Sequence, residues 1–363
     1  MPSNEPGKRP HPYRRRARYS GTHPRRFEDR YKELNPQDYP GIHEHVRGRG
    51  HTPAGTHVPV MVDEVMACLR PMPGEVVADC TVGFGGHARE FLKRIGPNGR
   101  LLAFDVDERE LERTRQRLAD AGFVNNVRFH RSNFAGIGKT LMMEQLDGYD
   151  VIFADLGVSS MQVDDPSRGF SYKHDGPLDM RMDQRIPRSA ADWLSDLSEE
   201  ELVAILRDLA DEPDAEPIAR QIIECGTVEP IKRTGQLVQI IFKAKRLTRR
   251  RWRERAARDQ RELHPAARVF QALRILVNDE LSSLRHLLRI APSCLRPGGR
   301  IGIISFHNGE DRLVARSFRE GLQSGAYASA ADEAIRPGRQ ERYDNPRCAS
   351  AMLRWAQTPH VRS

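Results

Sequence analysis

Between residues 75 and 160 the chain alternates two kinds of apolar pattern, and few folds accommodate that alternation. "GEVVADC" (74–80), "GRLLAFDVD" (99–107), "NVRFHRSN" (126–133) and "YDVIFADLGVSS" (149–160) are short and rich in β-branched and aromatic residues. "HAREFLKRI" (87–95) and "ERELERTRQRLADAG" (108–122) instead space their apolar residues for one helical face. A strand covered on both sides reads as a continuous apolar run and its crossover helix as amphipathic, so this switching predicts a doubly wound parallel sheet. Such sheets bind ligands at the carboxyl ends of their strands. Here those ends carry Asp79, Asp105, Asn133 and Asp155.

The rhythm stops after Ser160. An irregular stretch, "MQVDDPSRGFSYKHDGPLDMRMD" (161–183), is followed by helical sequence only. "SEEELVAILRDLA" (198–210) opens with Ser198 and Glu201 in capping-box spacing, and Thr234 is the predicted N-cap of "RTGQLVQIIFKA" (233–244). "PAARVFQALRILVNDELSSLRHLL" (265–288) reads as one long helix with Val269, Leu273, Leu276, Val277, Leu281, Leu284 and Leu288 in a single stripe. Gln271, Arg274 and Asn278 lie opposite that stripe, where a solvated face is expected. Sheet-type sequence returns at "LRPGGRIGIISFH" (295–307). The economical organisation is a basic arm (1–50) and an α/β domain (51–160 and 265–363) interrupted by a helical insertion (161–264).

Charge is placed unevenly. Residues 1–50 hold 12 Lys and Arg against 6 Asp and Glu, a net of +6 out of +8 for the whole chain of 363 residues. A segment so charged and so rich in Pro and Gly cannot bury enough surface to fold, and is expected to be a disordered basic arm. A second block, "KAKRLTRRRWRERAARDQR" (243–261), carries 10 Lys and Arg against 2 acids and encloses Trp252. Together these segments favour a polyanionic partner such as nucleic acid. No apolar run is long enough for a membrane-spanning helix and none follows the early arginines as a signal peptide requires, so cytoplasmic action is expected. The five cysteines are odd in number, scattered and without a C-x-x-C pair, which points to neither disulfides nor a zinc site.

The turn after the first strand, "DCTVGFGGH" (79–87), crowds Gly83, Gly85 and Gly86 together. A glycine-rich strand-to-helix turn admits a ligand to the backbone, and an acid closing the second strand, Asp105, suits a ribose diol. Gly83, Gly85 and Ala88 also fit G-x-G-x-x-A, so an NAD-dependent oxidoreductase stands as an alternative. Asp79, however, sets a carboxylate beside the glycines, awkward for a pyrophosphate and well placed for a cation. S-adenosylmethionine carries an ammonium, a sulfonium and no phosphate.

These residues carry a family resemblance. "HVPVMVDEV" (57–65), "DCTVGFGGHARE" (79–90), "DLGVSSMQVDDPSRGFSYKHDGPLDMRMD" (155–183), "HPAARVFQALRILVNDEL" (264–281) and "GGRIGIISFHNGEDR" (298–312) resemble the bacterial methyltransferases that place a methyl on N4 of a decoding-centre cytidine in small-subunit (16S) ribosomal RNA. The resemblance runs from about residue 55 to 355 and implies a Rossmann-like class I S-adenosylmethionine-dependent methyltransferase domain with an inserted all-helical substrate domain. It implies cofactor contacts at Gly85, Gly86 and His87, the ribose at Asp105, the adenine at Phe134, and further contacts at Asp155 and Gln162. Asp79 and Gly83 join them on the reading of the turn. The implied partner is 16S ribosomal RNA within the small subunit, with no DNA and no membrane. A non-catalytic RNA-binding factor on the same scaffold is the remaining alternative, disfavoured because the cofactor positions are intact. Where the family reads Ser-Leu after "SFH", this chain has Asn308-Gly309, and Asn308 is expected to cap the next helix with Asp311 as its reciprocal partner.

The implied chemistry is in-line displacement on a sulfonium methyl by an amino nitrogen whose lone pair is delocalised into the cytosine ring, so hydrogen-bond acceptors are needed at the fourth strand end. Asp155 is the first candidate, holding the methionine end or the amino group, with His307 a second candidate for catalysis. Ser159 and Ser160 are expected to line the substrate side. Asp179, Arg181 and Asp183 form either an ion-paired loop or a base-reading surface. Arg249, Arg250, Arg251 and Arg274 are candidates for phosphates, and Trp252 for stacking on an exposed base.

Overall fold

The computed structural model describes residues 59–259 and 262–360, with Ser160 described by its backbone alone. The basic arm lies outside the described residues. Helix α1 (Val62–Leu69) precedes strand β1 (Val76–Asp79), helix α2 (Gly86–Ile95), β2 (Arg100–Asp105), α3 (Glu108–Asp120), β3 (Val127–Arg131), α4 (Ile137–Met143) and β4 (Tyr149–Asp155). Helices follow: α5 (Ser160–Asp164), α6 (Ala190–Asp196), α7 (Glu199–Ala210), α8 (Ala215–Val228), α9 (Thr234–Ala244), α10 (Arg249–Arg258), α11 (Ala267–Asn278) and α12 (Glu280–Cys294). The chain then returns through β5 (Leu295–Ser305), α13 (Asn308–Gln323), β6 (Ser329–Ala330), α14 (Arg339–Asp344) and β7 (Met352–Gln357).

The seven strands form one sheet in the order β3-β2-β1-β4-β5-β7-β6. The first five pair in parallel, while β7 runs antiparallel to β5 and β6 antiparallel to β7. The four strands expected between residues 75 and 160 are all present, and the order turns back between β1 and β4. That reversal is the switch point at which doubly wound sheets open a crevice.

Alternate residues of each strand feed opposite layers, as the pleat dictates. Val76, Leu102, Phe104, Ile152 and Ile301 pack with Leu284 and Leu288 of α12 and Phe318 of α13 on one face. Val77, Leu101, Ala103, Val151 and Phe153 pack with Leu69 of α1 and Phe91 of α2 on the other. A third core, drawn from Phe170 to Val277, binds α6 to α9 and α11 to the loop after β4.

Three sequence expectations give way here. The stretch 265–288 is two helices, because Asp279 takes a left-handed conformation (φ 48°, ψ 43°) between them. Val269, Leu273 and Val277 then serve the helical core, and Leu284 and Leu288 the sheet, while Leu276 and Leu281 are half-buried. A straight helix could not serve both cores. Thr234 is the first residue of α9 rather than its cap: its hydroxyl donates to the His174 carbonyl and accepts the Gly176 N–H, tying the loop to the helix. Asn308 does not cap α13. His307 holds that position, Glu310 accepts the Phe306 N–H, and Asp311 forms a two-pronged pair with Arg354 of β7. The Ser198–Glu201 capping box is formed as expected.

Candidate active site

The glycine turn is built by close packing on both sides. Gly83 and Gly85 have positive φ (45° and 85°), a region costly for other residues. A Cβ on Gly85 would lie 2.7 Å from Thr114 Cγ2, and one on Gly86 would lie 2.8 Å from Pro59. Gly83 and Gly86 face a cavity of about 800 Å³ at the carboxyl end of the sheet, and Gly85 turns the chain behind them. That volume falls within the range of about 300–1,000 Å³ typical of small-molecule sites.

The strand ends supply the cavity's charge. Asp105 accepts the N–H of Gly83 at 2.9 Å through Oδ2 and that of Asp107 at 2.9 Å through Oδ1. Burial nevertheless raises its pKa to about 6, outweighing both amides. Asp79 is enclosed beneath the turn, and burial takes it to about 7 against the opposing Thr81 N–H. Thr81 also links the two sides of the switch point, its hydroxyl accepting the Asp155 N–H at 2.6 Å. Asp155 is raised furthest, to about 8, first by burial and then by the fields of Asp79 and Glu310.

His87 lies between these walls. Its Nε2 is 2.8 Å from the Val60 carbonyl, so that nitrogen carries the hydrogen, and its ring packs 4.6 Å from that of Phe153. Nδ1 faces Asp155 Oδ2 at 3.9 Å. Gln162 donates to Asp107 Oδ2 at 3.0 Å, and the same oxygen receives Arg168 Nη1 at 2.7 Å. Arg168 continues to the carbonyls of Arg181 and Met182, so the loop after β4 is clamped over the end of β2. Ser159 lines the cavity and caps α5 in a capping box with Gln162. The side chain of Ser160 lies outside the described residues.

The opposite wall comes from Phe134 and the break between α11 and α12. Asn133 donates to Ser283 Oγ at 2.9 Å, holding the Phe134 turn against α12. Asn278 donates to the Met180 carbonyl and accepts the Met182 N–H, while Arg274 grips Glu280 through two hydrogen bonds of 2.8 Å. The polar stripe expected to be solvated thus faces the cavity at Arg274 and Asn278, because the kink at Asp279 turns it inward.

Several candidates sit elsewhere than expected. His307 is absent from the cavity wall; it stands behind Glu310, its Nε2 3.1 Å from Glu310 Oε1. Asp179 and Arg181 are spent on each other and on the Ile186 carbonyl, the ion-paired alternative. Asp183 does line the cavity, paired with Arg185 and Arg131. Among the described residues no cavity wall arises between Ile186 and Arg274, so Arg249, Arg250, Arg251 and Trp252 lie apart from it. The three arginines are exposed on α10. Trp252 packs inward, 4.7 Å from the His264 ring, which itself stacks on Tyr172 at 4.3 Å. It anchors the helix instead of offering a stacking platform, because an amphiphile's apolar ring is better placed against an aromatic cluster than in water. Asp107, Glu310 and the inward-facing Asn278 escape a reading of the sequence alone. The N-cap position of Asp107 before α3 is the one local signal that marks any of them.

The MraW methylase family model matches residues 54–359. The chain belongs to that family. It is 40% identical over 347 residues to ribosomal RNA small subunit methyltransferase H 1 of Agathobacter rectalis, covering 95% of this chain and 97% of that one. It is 42% identical to ribosomal RNA small subunit methyltransferase H 2 of Alkaliphilus metalliredigens, covering 94% and 97%. It is 43% identical to ribosomal RNA small subunit methyltransferase H of Geobacter sulfurreducens, covering 83% and 98%. Membership of the MraW family decides against the oxidoreductase alternative, and so does the sheet: its second half ends in an antiparallel β5-β7-β6 arrangement where a dinucleotide fold carries a further parallel strand.

The cavity of this MraW-family chain fits S-adenosylmethionine. Its cations Arg185, Arg274 and Arg347 are each paired with an acid of their own, Asp183, Glu280 and Asp164. Asp105 and Asp155 are left to face a positively charged ligand, and no lysine or arginine of the glycine turn is present to meet a pyrophosphate.

Proposed function

We propose that this protein transfers a methyl group from S-adenosylmethionine to N4 of a cytidine in 16S ribosomal RNA. The observation that carries this reading is one cavity walled at the ends of β2 and β4 by the carboxylates of Asp105 and Asp155, with Asp79 enclosed beneath the glycine turn, in a chain matched over residues 54–359 by the methylase family. S-adenosylmethionine supplies an electrophilic methyl. Asp105 accepts hydrogen bonds from the ribose, Phe134 covers the adenine, and Gly83, Gly86, His87 and Gln162 border the donor, with Gly85 and Asp79 supporting the turn. Asp155 holds the ammonium of the methionine end or the target amine. Closing such a cation against buried carboxylates favours their ionised forms, so binding releases protons.

The target base must leave its stack to reach this depth, which is less costly in a single-stranded ribosomal loop than in a duplex. Asp183 and Ser159 border the entry, and the exposed arginines of α10 supply phosphate contacts that carry affinity without reading sequence. The reaction belongs to the cytoplasm, with the RNA presented in the small subunit. No described helix is long and apolar enough to cross a membrane. The test is mass spectrometry of ribosomal RNA nucleosides after incubation with S-adenosylmethionine, with and without the protein. N4-methylcytidine that depends on the protein is expected, and its absence from every form of 16S RNA and small subunit would overturn the reading.

A further inference from the structure

Behind Asp155 stands a second acid that the sequence pattern does not single out. Glu310, in the first turn of α13, is 2% exposed and reaches the cavity wall. Its Oε2 accepts the Phe306 N–H at 2.9 Å and its Oε1 lies 3.1 Å from His307 Nε2. A carboxylate has about four acceptor sites, so these two partners orient the group and leave capacity on both oxygens. Arg274, held by Glu280, contributes positive field from the α11 side, and Asp155 is coupled to Glu310 from β4.

We propose that Glu310 is a catalytic residue of the methyl transfer, its carboxylate accepting an amino hydrogen of the target cytosine and taking the proton released as the new bond forms. The proposal rests on the functional reading above. In the step, the lone pair of the amino nitrogen closes on the methyl carbon, the carbon–sulfur electron pair stays with sulfur, and one N–H proton passes to Glu310. His307, at 3.1 Å, is the positioning residue, and the proton passes from Glu310 to water as the product leaves. Charge balances, because the sulfonium loses its positive charge as the amino group gains and then releases one.

Two of the cavity's acids, Asp155 and Glu310, are pushed in opposite directions, which is how acid and base roles separate in a shared site. Burial drives Asp155 up to about 8. Burial acts on Glu310 as well, but the His307 side chain, Arg274 and the Phe306 N–H outweigh it and hold that carboxyl below its usual range. At neutral pH, before the donor's cation binds, Glu310 is therefore the ionised member of this pair and Asp155 the protonated one. The ionised group is the stronger acceptor for an amine on which positive charge develops.

The test compares wild type, Glu310→Gln and Glu310→Ala in single-turnover methylation of 16S RNA, with S-adenosylhomocysteine affinity measured by calorimetry on the same preparations. Glutamine keeps the size and the acceptor for Phe306 but cannot take a proton. Its rate constant should fall by about 100- to 10,000-fold, the range for loss of a general base, while S-adenosylhomocysteine affinity and half-saturating RNA change by less than about threefold. Sodium formate should raise the alanine variant's rate at least tenfold, and sodium chloride at equal ionic strength should not. A glutamine variant within threefold of the wild-type rate would overturn the proposal. Loss of S-adenosylhomocysteine binding by the glutamine variant would also overturn it, assigning Glu310 to holding the fold. A wild-type protein that methylates no RNA would defeat the functional reading itself, a separate outcome.

Discussion

Replacing Asp79 with Asn isolates the cost of a charge buried at the end of β1. The side chain is 1% exposed, and burial raises its pKa to about 7, with the Thr81 N–H opposing and the field of Asp105 adding to the rise. In the unfolded chain the same carboxyl titrates near its ordinary value of about 3.9. Between those two values the folded protein retains a proton that the unfolded chain has released, so stability is lost as pH rises through the interval and is constant above it. Each pH unit of that interval costs about 1.4 kcal/mol, so passage from pH 4 to above pH 7 removes about 4 kcal/mol through this one group. Asparagine occupies the same space, keeps an acceptor for Thr81 and does not titrate. Urea unfolding of both proteins without cofactor, at half-unit steps from pH 5 to pH 8.5, should show the variant gaining on wild type. The gap should widen by about 3 kcal/mol between pH 5 and pH 8. Asp105 and Asp155 remain in both proteins, so the part of their slopes that does not depend on Asp79 cancels in the difference. A gap that stays flat with pH, or one that closes as pH rises, would refute the assignment of a buried, proton-holding Asp79.

Three further outcomes are expected. Asp105→Ala should weaken S-adenosylhomocysteine binding by about 1.5–3 kcal/mol in calorimetry, the worth of charge-assisted hydrogen bonds, and an unchanged dissociation constant would remove Asp105 from the site. Asp155→Ala should slow single-turnover methylation by about 100-fold with the circular dichroism spectrum preserved, and near-normal turnover by the folded variant would exclude its orienting role. Neutralising Arg249, Arg250 and Arg251 together by Gln should raise the RNA concentration for half-saturation more than it lowers turnover. It should also flatten the log–log salt dependence by about 0.7–0.9 for each phosphate that is no longer neutralised, and an unchanged slope would place the RNA elsewhere.

The positions of β1 to β4, their crossover helices and the acids at their ends are legible in the chain, because apolar periodicity is a local consequence of the pleat and the helical repeat. Two-sided burial makes the strand runs apolar, and the strand end is where the chain first meets water or a ligand. Asp79, Asp105 and Asp155 therefore declare themselves without any tertiary information. The glycine turn is legible as a turn. That Gly85 and Gly86 are required by Thr114 and Pro59 becomes visible only once those residues, distant in sequence, are packed against them. The break at Asp279 is hidden because the stretch keeps helical spacing on both sides, and only two separate cores pulling on the two halves decide that the helix must kink. That kink turns Arg274 and Asn278 into the cavity, a direction no local rule contains. Trp252 and Glu310 show the same limit from opposite sides: a tryptophan in a basic run reads as exposed and is held in an aromatic cluster, while an acid in a helix's first turn reads as ordinary capping and is buried in the cavity wall. Local sequence determines which elements form and which groups they carry. Which way a group faces, and how strongly burial shifts its charge, depends on neighbours that only the folded chain brings within a few ångströms.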